Sequence, residues 1–214
     1  MNSPTILCFG DSNTWGYVPG KDCERYAPDV RWPGVLQAGL GDDYRVIEEG
    51  QNGRMTVWDD PMEWEVSKNG LKYLPVILES QKPVDLVIVM LGTNDLKSYM
   101  NHSATDIAQG AITVVDHILE SSAGPEKQAP AVLLICPAAV SAGHCPFGHL
   151  FDGAPEVSRE MPAAYAELAE DRGISFLDAG LYATCPEPDC IHLDDGGHAA
   201  LGMAVTVKVK AMGL

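Results

Sequence analysis

A three-layer α/β/α domain, with helices covering both faces of a five-stranded parallel sheet, is the fold class this sequence predicts. Two observations carry that expectation. Short apolar runs alternate along the chain with segments of helical periodicity, the order that builds a parallel sheet through right-handed crossovers. The runs are also apolar nearly throughout, or rich in β-branched residues, as strands covered on both faces are.

Residues 5–9 read as the first strand and residues 32–40 as the helix that follows it. A second strand at 44–48 precedes a helix at 71–80, and a third at 84–91 precedes a helix at 105–122. In that helix Thr105 and Asp106 are suited to the start, and Ile107, Ala111, Val114, Val115 and Ile118 follow at helical spacing. A fourth strand at 131–136, a helix at 156–172, a fifth strand at 174–177 and a last helix at 196–212 complete the alternation. Residues 16–28 and 138–155 lack periodicity. Long loops in compact domains tend to be functional, and both follow strand ends, where α/β sheets hold ligands. They are the expected walls of a substrate pocket. With neither a repeat nor a low-complexity stretch, residues 1–214 are expected to form one domain.

Composition narrows the partners. An apolar share of 46% is ordinary for a globular chain, and no apolar run approaches the ~20 residues of a membrane span. With 14 basic and 30 acidic residues the net charge is −16, which disfavours nucleic acid, anionic membranes and polyanionic substrates. The N-terminal residues show neither the basic region nor the apolar stretch of a secretory signal, so a cytoplasmic location is expected. Six cysteines in such a chain are expected to be reduced, Cys8 and Cys136 serving as small core residues. Cys185 and Cys190 leave a local disulfide open, but without a Cys-x-x-Cys pair no metal site is expected.

Four segments carry chemistry. Gly10-Asp11-Ser12, Gly50-Gln51-Asn52-Gly53 and Gly92-Thr93-Asn94-Asp95 each sit where an apolar strand runs out, and Asp189-Cys190-Ile191-His192 lies ahead of the last helix. A serine at a strand end is a poor nucleophile without a base in reach, and Asp11-Ser12 alone reads equally as a helix cap. Asp189 and His192, three apart, supply a base and a carboxylate to fix its tautomer. Asp195 and His198 repeat the same spacing, and spacing alone does not separate the pairs. Placement does, since reactive side chains sit on loops at strand ends, whereas His198 falls inside the predicted helix. His102, His117, His144 and His149 have no such acidic partner, although His144 and His149 lie where they could line a pocket.

Taken together, and with Cys8–Gly16, Arg25–Trp32, Val46–Gly50 and Met90–Asp95, these segments resemble the SGNH hydrolases, or GDSL-type esterases and lipases. The likeness is to the arylesterase/acyltransferase branch typified by a mycobacterial enzyme, and it spans nearly the whole chain. It implies a flavodoxin-like sheet order and a triad of Ser12, His192 and Asp189. It also implies an oxyanion hole built from the backbone N–H groups of Ser12 and Gly53 and the side-chain amide of Asn94. Asp11 and Asp95 are then scaffold, and Arg31 and Arg54 structural ion-pair partners. Asn13 stands where that branch usually has Leu, Gln51-Asn52-Gly53 replaces a less polar trio, and residues 141–155 diverge. Those departures, with Trp15 and Phe147, mark the expected substrate pocket, while Trp32 could serve either pocket or core. The expected activity is hydrolysis of short-chain, acetyl-type esters through an acyl-enzyme, without metal or organic cofactor. Acyl transfer to alcohols and sugar O-deacetylation are alternatives from the same site. A small-molecule ester is the expected partner, and a homo-oligomer the expected assembly.

Overall fold

The computed structural model describes residues 3–141 and 147–213. Five strands, β1 (Thr5–Gly10), β2 (Arg45–Gly50), β3 (Leu86–Met90), β4 (Ala131–Cys136) and β5 (Ser175–Asp178), form one parallel sheet in the order β2-β1-β3-β4-β5. This is the flavodoxin-like order, whose switch point lies between β1 and β3. Register aligns the strand ends there: Gly10 faces Gly50 on one side and Met90 on the other. The segments after β1, β2 and β3 therefore emerge side by side at the carboxyl edge.

Strand residues alternate between two apolar layers, as the pleat requires. Leu7, Phe9, Val87, Val89 and Leu134 pack with α3 (Gly70–Gln81), α4 (Ala104–Leu119) and α5 (Ala154–Asp171). Ile6, Cys8, Leu86, Ile88 and Leu133 pack with α2 (Trp32–Leu40) and α6 (Asp195–Met212). Trp32 is wholly buried in that second layer and belongs to the core. Burial also raises the Cys8 and Cys136 thiols well above their ordinary range. Cys185 and Cys190 are both buried and are not joined to each other, so the local disulfide left open by the sequence is not formed.

Element positions agree with the sequence reading, and their ends differ for identifiable reasons. Helix α4 starts at Ala104 because Ser103, not Thr105, is its cap. The Ser103 hydroxyl accepts the Asp106 N–H while the Asp106 carboxylate accepts the Ser103 N–H, a reciprocal pair that satisfies two orphan donors. Residues 51–69 form a third long connection, without helix or strand, that periodicity did not single out. His144 and Cys145 lie outside the described residues.

Candidate active site

Ser12 opens the single turn α1 (Ser12–Trp15), capped by Asp11, whose carboxylate accepts the Asn13 N–H at 2.9 Å. At the first helical position the Ser12 N–H has no partner within the turn. Its hydroxyl lies 2.9 Å from His192 Nε2, and His192 Nδ1 lies 2.9 Å from Asp189 Oδ2. Donation from Nδ1–H to the carboxylate leaves Nε2 as the acceptor facing the serine. Asp189 Oδ1 also accepts the N–H groups of Ile191 (3.0 Å) and His192 (2.9 Å), and Oδ2 accepts that of Gly20 (3.1 Å). The tight turn at Asp189 is possible because Cys190 adopts a left-handed conformation, φ 63°. Burial works to raise the Asp189 carboxyl, but the side-chain hydrogen bond and charge of His192 and the N–H groups of His192 and Ile191 outweigh it and hold it below its ordinary value.

Asn13 corrects one expectation. Instead of facing substrate it is buried and spans His192: its amide donates to Ile191 O (3.2 Å) and its carbonyl accepts Leu193 N–H (2.9 Å). A short polar side chain beside the serine can brace the loop that carries the base. Trp15 is a second correction. It lies outside the pocket, with the Arg25 guanidinium 4.9 Å from its ring centroid and Arg25 Nε–H donating to its carbonyl at 2.6 Å. Gln51 is likewise tied down, donating to Ser67 O and accepting from Arg54.

Gly53 and Asn94 line the same pocket as Ser12. Gly53 has φ +79°, and a Cβ there would sit 3.1 Å from Lys68 Cε, so glycine suits this close backbone approach. The Asn94 amide donates one hydrogen to Arg54 O at 3.1 Å, and the same nitrogen keeps a second donor. Arg54 is not the ion-pair partner the sequence suggested. Its buried guanidinium bonds backbone carbonyls, Gly10 O at 2.7 Å and Glu49 O, and stacks on Phe9 at 4.3 Å. It thereby ties the strand ends of β1 and β2 to the Gly53 loop. Burial, partly offset by Glu49 and Asp11, lowers it to about 10. Arg31, by contrast, does pair with Glu48 at 2.7 Å.

Asp11 and Asp95 are scaffold carboxylates, as expected. Asp95 accepts both the N–H (3.1 Å) and the hydroxyl (2.6 Å) of Thr56, joining the Asn94 turn to residues 51–69. Burial raises each to about 6, against the Asn13 N–H and the His192 charge for Asp11, and the Thr56 bonds for Asp95.

The pocket encloses about 290 Å³. Phe147, Leu150, Phe151 and Ile191 give it an apolar lining, and Asp22, Asn52, Glu63 and Lys97 a polar one. Phe147 is thus where the sequence put it. Lys97 is buried between Asp60 (2.5 Å) and Glu63 (2.8 Å), and Tyr99 donates to Asp60 at 2.8 Å. Burial opposes the Lys97 charge, but these two carboxylates prevail and raise it. Asn52 belongs to the polar trio the sequence marked, and Tyr17 and Phe151 come from the two long loops expected as walls, whereas Glu63 was not singled out from sequence.

His198 is a core residue. Its Nδ1 accepts the Trp32 N–H at 3.3 Å, its ring meets Tyr26 edge-on, and burial first, then repulsion from His192 and Arg31, lowers it to about 4. His149 is exposed and absent from the pocket, and His102 packs on Trp58. Among the described residues no three His, Cys, Asp or Glu side chains are gathered as a metal site requires, and no helix is long and apolar enough to cross a membrane.

The profile of the GDSL-like lipase/acylhydrolase family matches residues 8–200. No match was found among curated protein sequences. Among solved structures, the aryl esterase of M. smegmatis is 41% identical, with 97% of this chain and 99% of that one covered at a TM-score of 0.91. Est24, a carbohydrate acetylesterase from Sinorhizobium meliloti, is 39% identical over 98% of this chain and 99% of its own, with a TM-score of 0.92. A second carbohydrate acetylesterase family member from that organism is 34% identical over 99% and 100%, with a TM-score of 0.90.

Proposed function

The chain belongs to the GDSL-like lipase/acylhydrolase family, and from that premise we propose that it hydrolyses short-chain acyl esters through an acyl-enzyme formed on Ser12. The observation that carries this reading is the relay from Ser12 Oγ through His192 to Asp189, with both contacts at 2.9 Å, opening on a pocket that also holds Gly53 and Asn94. Neutral His192 takes the Ser12 proton as the oxygen attacks the ester carbonyl. Asp189 then faces an imidazolium and stabilises it. The carbonyl oxygen becomes negative between the N–H groups of Ser12 and Gly53 and the second amide hydrogen of Asn94. Collapse returns the proton from His192 to the leaving alcohol, and the acyl group stays on Ser12. Water repeats the sequence, giving up its proton to His192 and releasing the acid.

The short-acyl preference is supported by size. A cavity of about 290 Å³ is at the bottom of the roughly 300–1,000 Å³ range of small-molecule sites, and acyl and alcohol parts must share it. A sugar acetate as substrate is a second reading. It is favoured by Asp22, Asn52 and Glu63, whose oxygens suit hydroxyl donors, and by the likeness to Est24. A panel of aryl and sugar esters from acetyl to decanoyl, with and without added alcohol, tests both. Acetyl should give the highest kcat/KM. Preference for decanoyl esters would overturn the short-acyl reading, and a sugar acetate outrunning aryl acetate would select the second. New ester formed from the added alcohol would extend the reaction to acyl transfer.

A further inference from the structure

The two hydrogen bonds that hold His192 meet its ring at Nδ1 and Nε2, both in the ring plane. They resist tilting of the ring on its Cβ stem only through the soft angular dependence of hydrogen bonds. A contact on the ring face resists that tilt directly. Tyr17 supplies it: its ring stacks on His192 with centroids 4.3 Å apart and planes inclined by 23°.

Tyr17 is itself held from several directions. Its N–H donates to the carbonyl of Ser12 at 3.0 Å, so its backbone is tied to the serine turn. It pairs with Arg25 in an antiparallel bridge, and Val18 N–H to Glu24 O (3.1 Å) and Tyr26 N–H to Gly16 O (2.8 Å) close residues 17–25 into a hairpin-like loop. The same loop reaches the far end of the relay, where the Gly20 N–H donates to Asp189 Oδ2, the oxygen that also bonds His192. Gly20 has φ +69°, and a Cβ there would lie 2.3 Å from Pro188 Cγ, so only glycine brings its N–H this close. Asp22 and Cys23 of this loop line the pocket.

We propose that Tyr17 is a positioning residue for the proposed general base, the face-on stop that keeps the His192 ring in the plane shared by Ser12 and Asp189, with Gly20 completing the carboxylate end. The inference rests on the reading of Ser12, His192 and Asp189 as a triad. Tyr17→Phe keeps the flat face, whereas Tyr17→Leu fills the space without one, and Tyr17→Met carries the same comparison should the leucine variant fail to fold. Kinetics on phenyl acetate and the downfield proton resonance of His192 Nδ1–H are read for each. Tyr17→Phe should stay near wild type in both. Tyr17→Leu should lose about tenfold or more in kcat with KM little changed, and its Nδ1–H resonance should broaden, as a ring loosened in its seat exchanges that proton faster. Wild-type kcat and resonance in Tyr17→Leu would overturn the inference. So would a loss confined to KM, which would make Tyr17 a substrate contact, or equal damage in Tyr17→Phe. Fluorophosphonate labelling of the wild type is run alongside. Labelling at a residue other than Ser12 sinks the triad reading itself, whereas labelling at Ser12 with an unaffected Tyr17→Leu sinks only the role of Tyr17.

Discussion

Replacing Asn13 separates a brace from a substrate contact. Its amide nitrogen and oxygen pair with Ile191 O and Leu193 N, the backbone groups on either side of His192, and all three residues are buried. Asn13→Ala strips both partners at once. An unpaired buried polar group costs about 1–3 kcal/mol, so two such groups set the loss of folding stability at about 2–4 kcal/mol once the loop relaxes partway. The released loop carries His192, whose Nε2 must stay near 2.9 Å from Ser12 Oγ, and displacement by about 1 Å can cost on the order of 10²-fold in rate. Urea denaturation and steady-state hydrolysis of phenyl acetate read the two effects separately. The expected result is a lower urea midpoint with unchanged slope, and kcat reduced about 10–100-fold at nearly constant KM. Stability within about 0.5 kcal/mol of wild type, together with an altered KM and intact kcat, would refute the brace and restore Asn13 to the substrate wall.

Asn94→Ala should lower kcat by about 10²–10³ and leave KM nearly unchanged, since the negative oxygen it would bind exists only in the transition state; a change in KM alone would contradict that. His198 should govern acid stability rather than catalysis. Its folded value of about 4 lies below the ordinary 6.5, so the neutral form is favoured in the fold. The associated stability is complete above pH 6.5 and is lost as pH falls towards 4, by about 3 kcal/mol. Asp11 and Asp95, raised from 3.8 to about 6, act in the opposite sense, since their burial disfavours the ionised form and eases as pH falls through 6. The difference between wild type and His198→Asn isolates the histidine: the variant should lose less stability between pH 6.5 and 4 while keeping most of its kcat. Identical pH dependence in the two proteins would contradict the assignment.

The central strands β1, β3 and β4 were legible because they are buried on both faces and read as apolar runs, the half-buried edge strands β2 and β5 through the alternation that frames them, and the helices because apolar spacing repeats. Helix starts were less so. The sequence reading puts the start of α4 at Thr105 and Asp106, and the reciprocal bonds between Ser103 and Asp106 move the cap two residues earlier. Ser12 was nameable because it stands at a strand end, and Asp189 and His192 because their spacing ahead of the last helix matches what the family resemblance implies; the structure brings all three within hydrogen-bond reach. The pocket walls were legible in part: the two unpatterned loops supply Tyr17, Asp22, Phe147 and Phe151, and Asn52 lies in the polar trio the sequence marked. Glu63 was not legible, because it lies in residues 51–69, where no periodicity marks a face and position depends on long-range ties such as Thr56 to Asp95 and Lys97 to Glu63. Asn13 and Arg54 were misjudged for a related reason. A polar residue beside a serine looks like a substrate contact and a lone arginine like half of an ion pair, until the backbone groups they satisfy are seen to come from distant segments.

The account stands most directly on Ser12 as the nucleophile, and covalent labelling measures it. Wild-type protein treated with a fluorophosphonate, digested and mapped by mass spectrometry should carry the adduct on Ser12 alone, and the treated protein should be inactive. Ser12→Ala should take up no label and lose on the order of 10³–10⁶ in turnover. An adduct on another residue, with Ser12→Ala still hydrolysing phenyl acetate at the wild-type rate, would contradict the account.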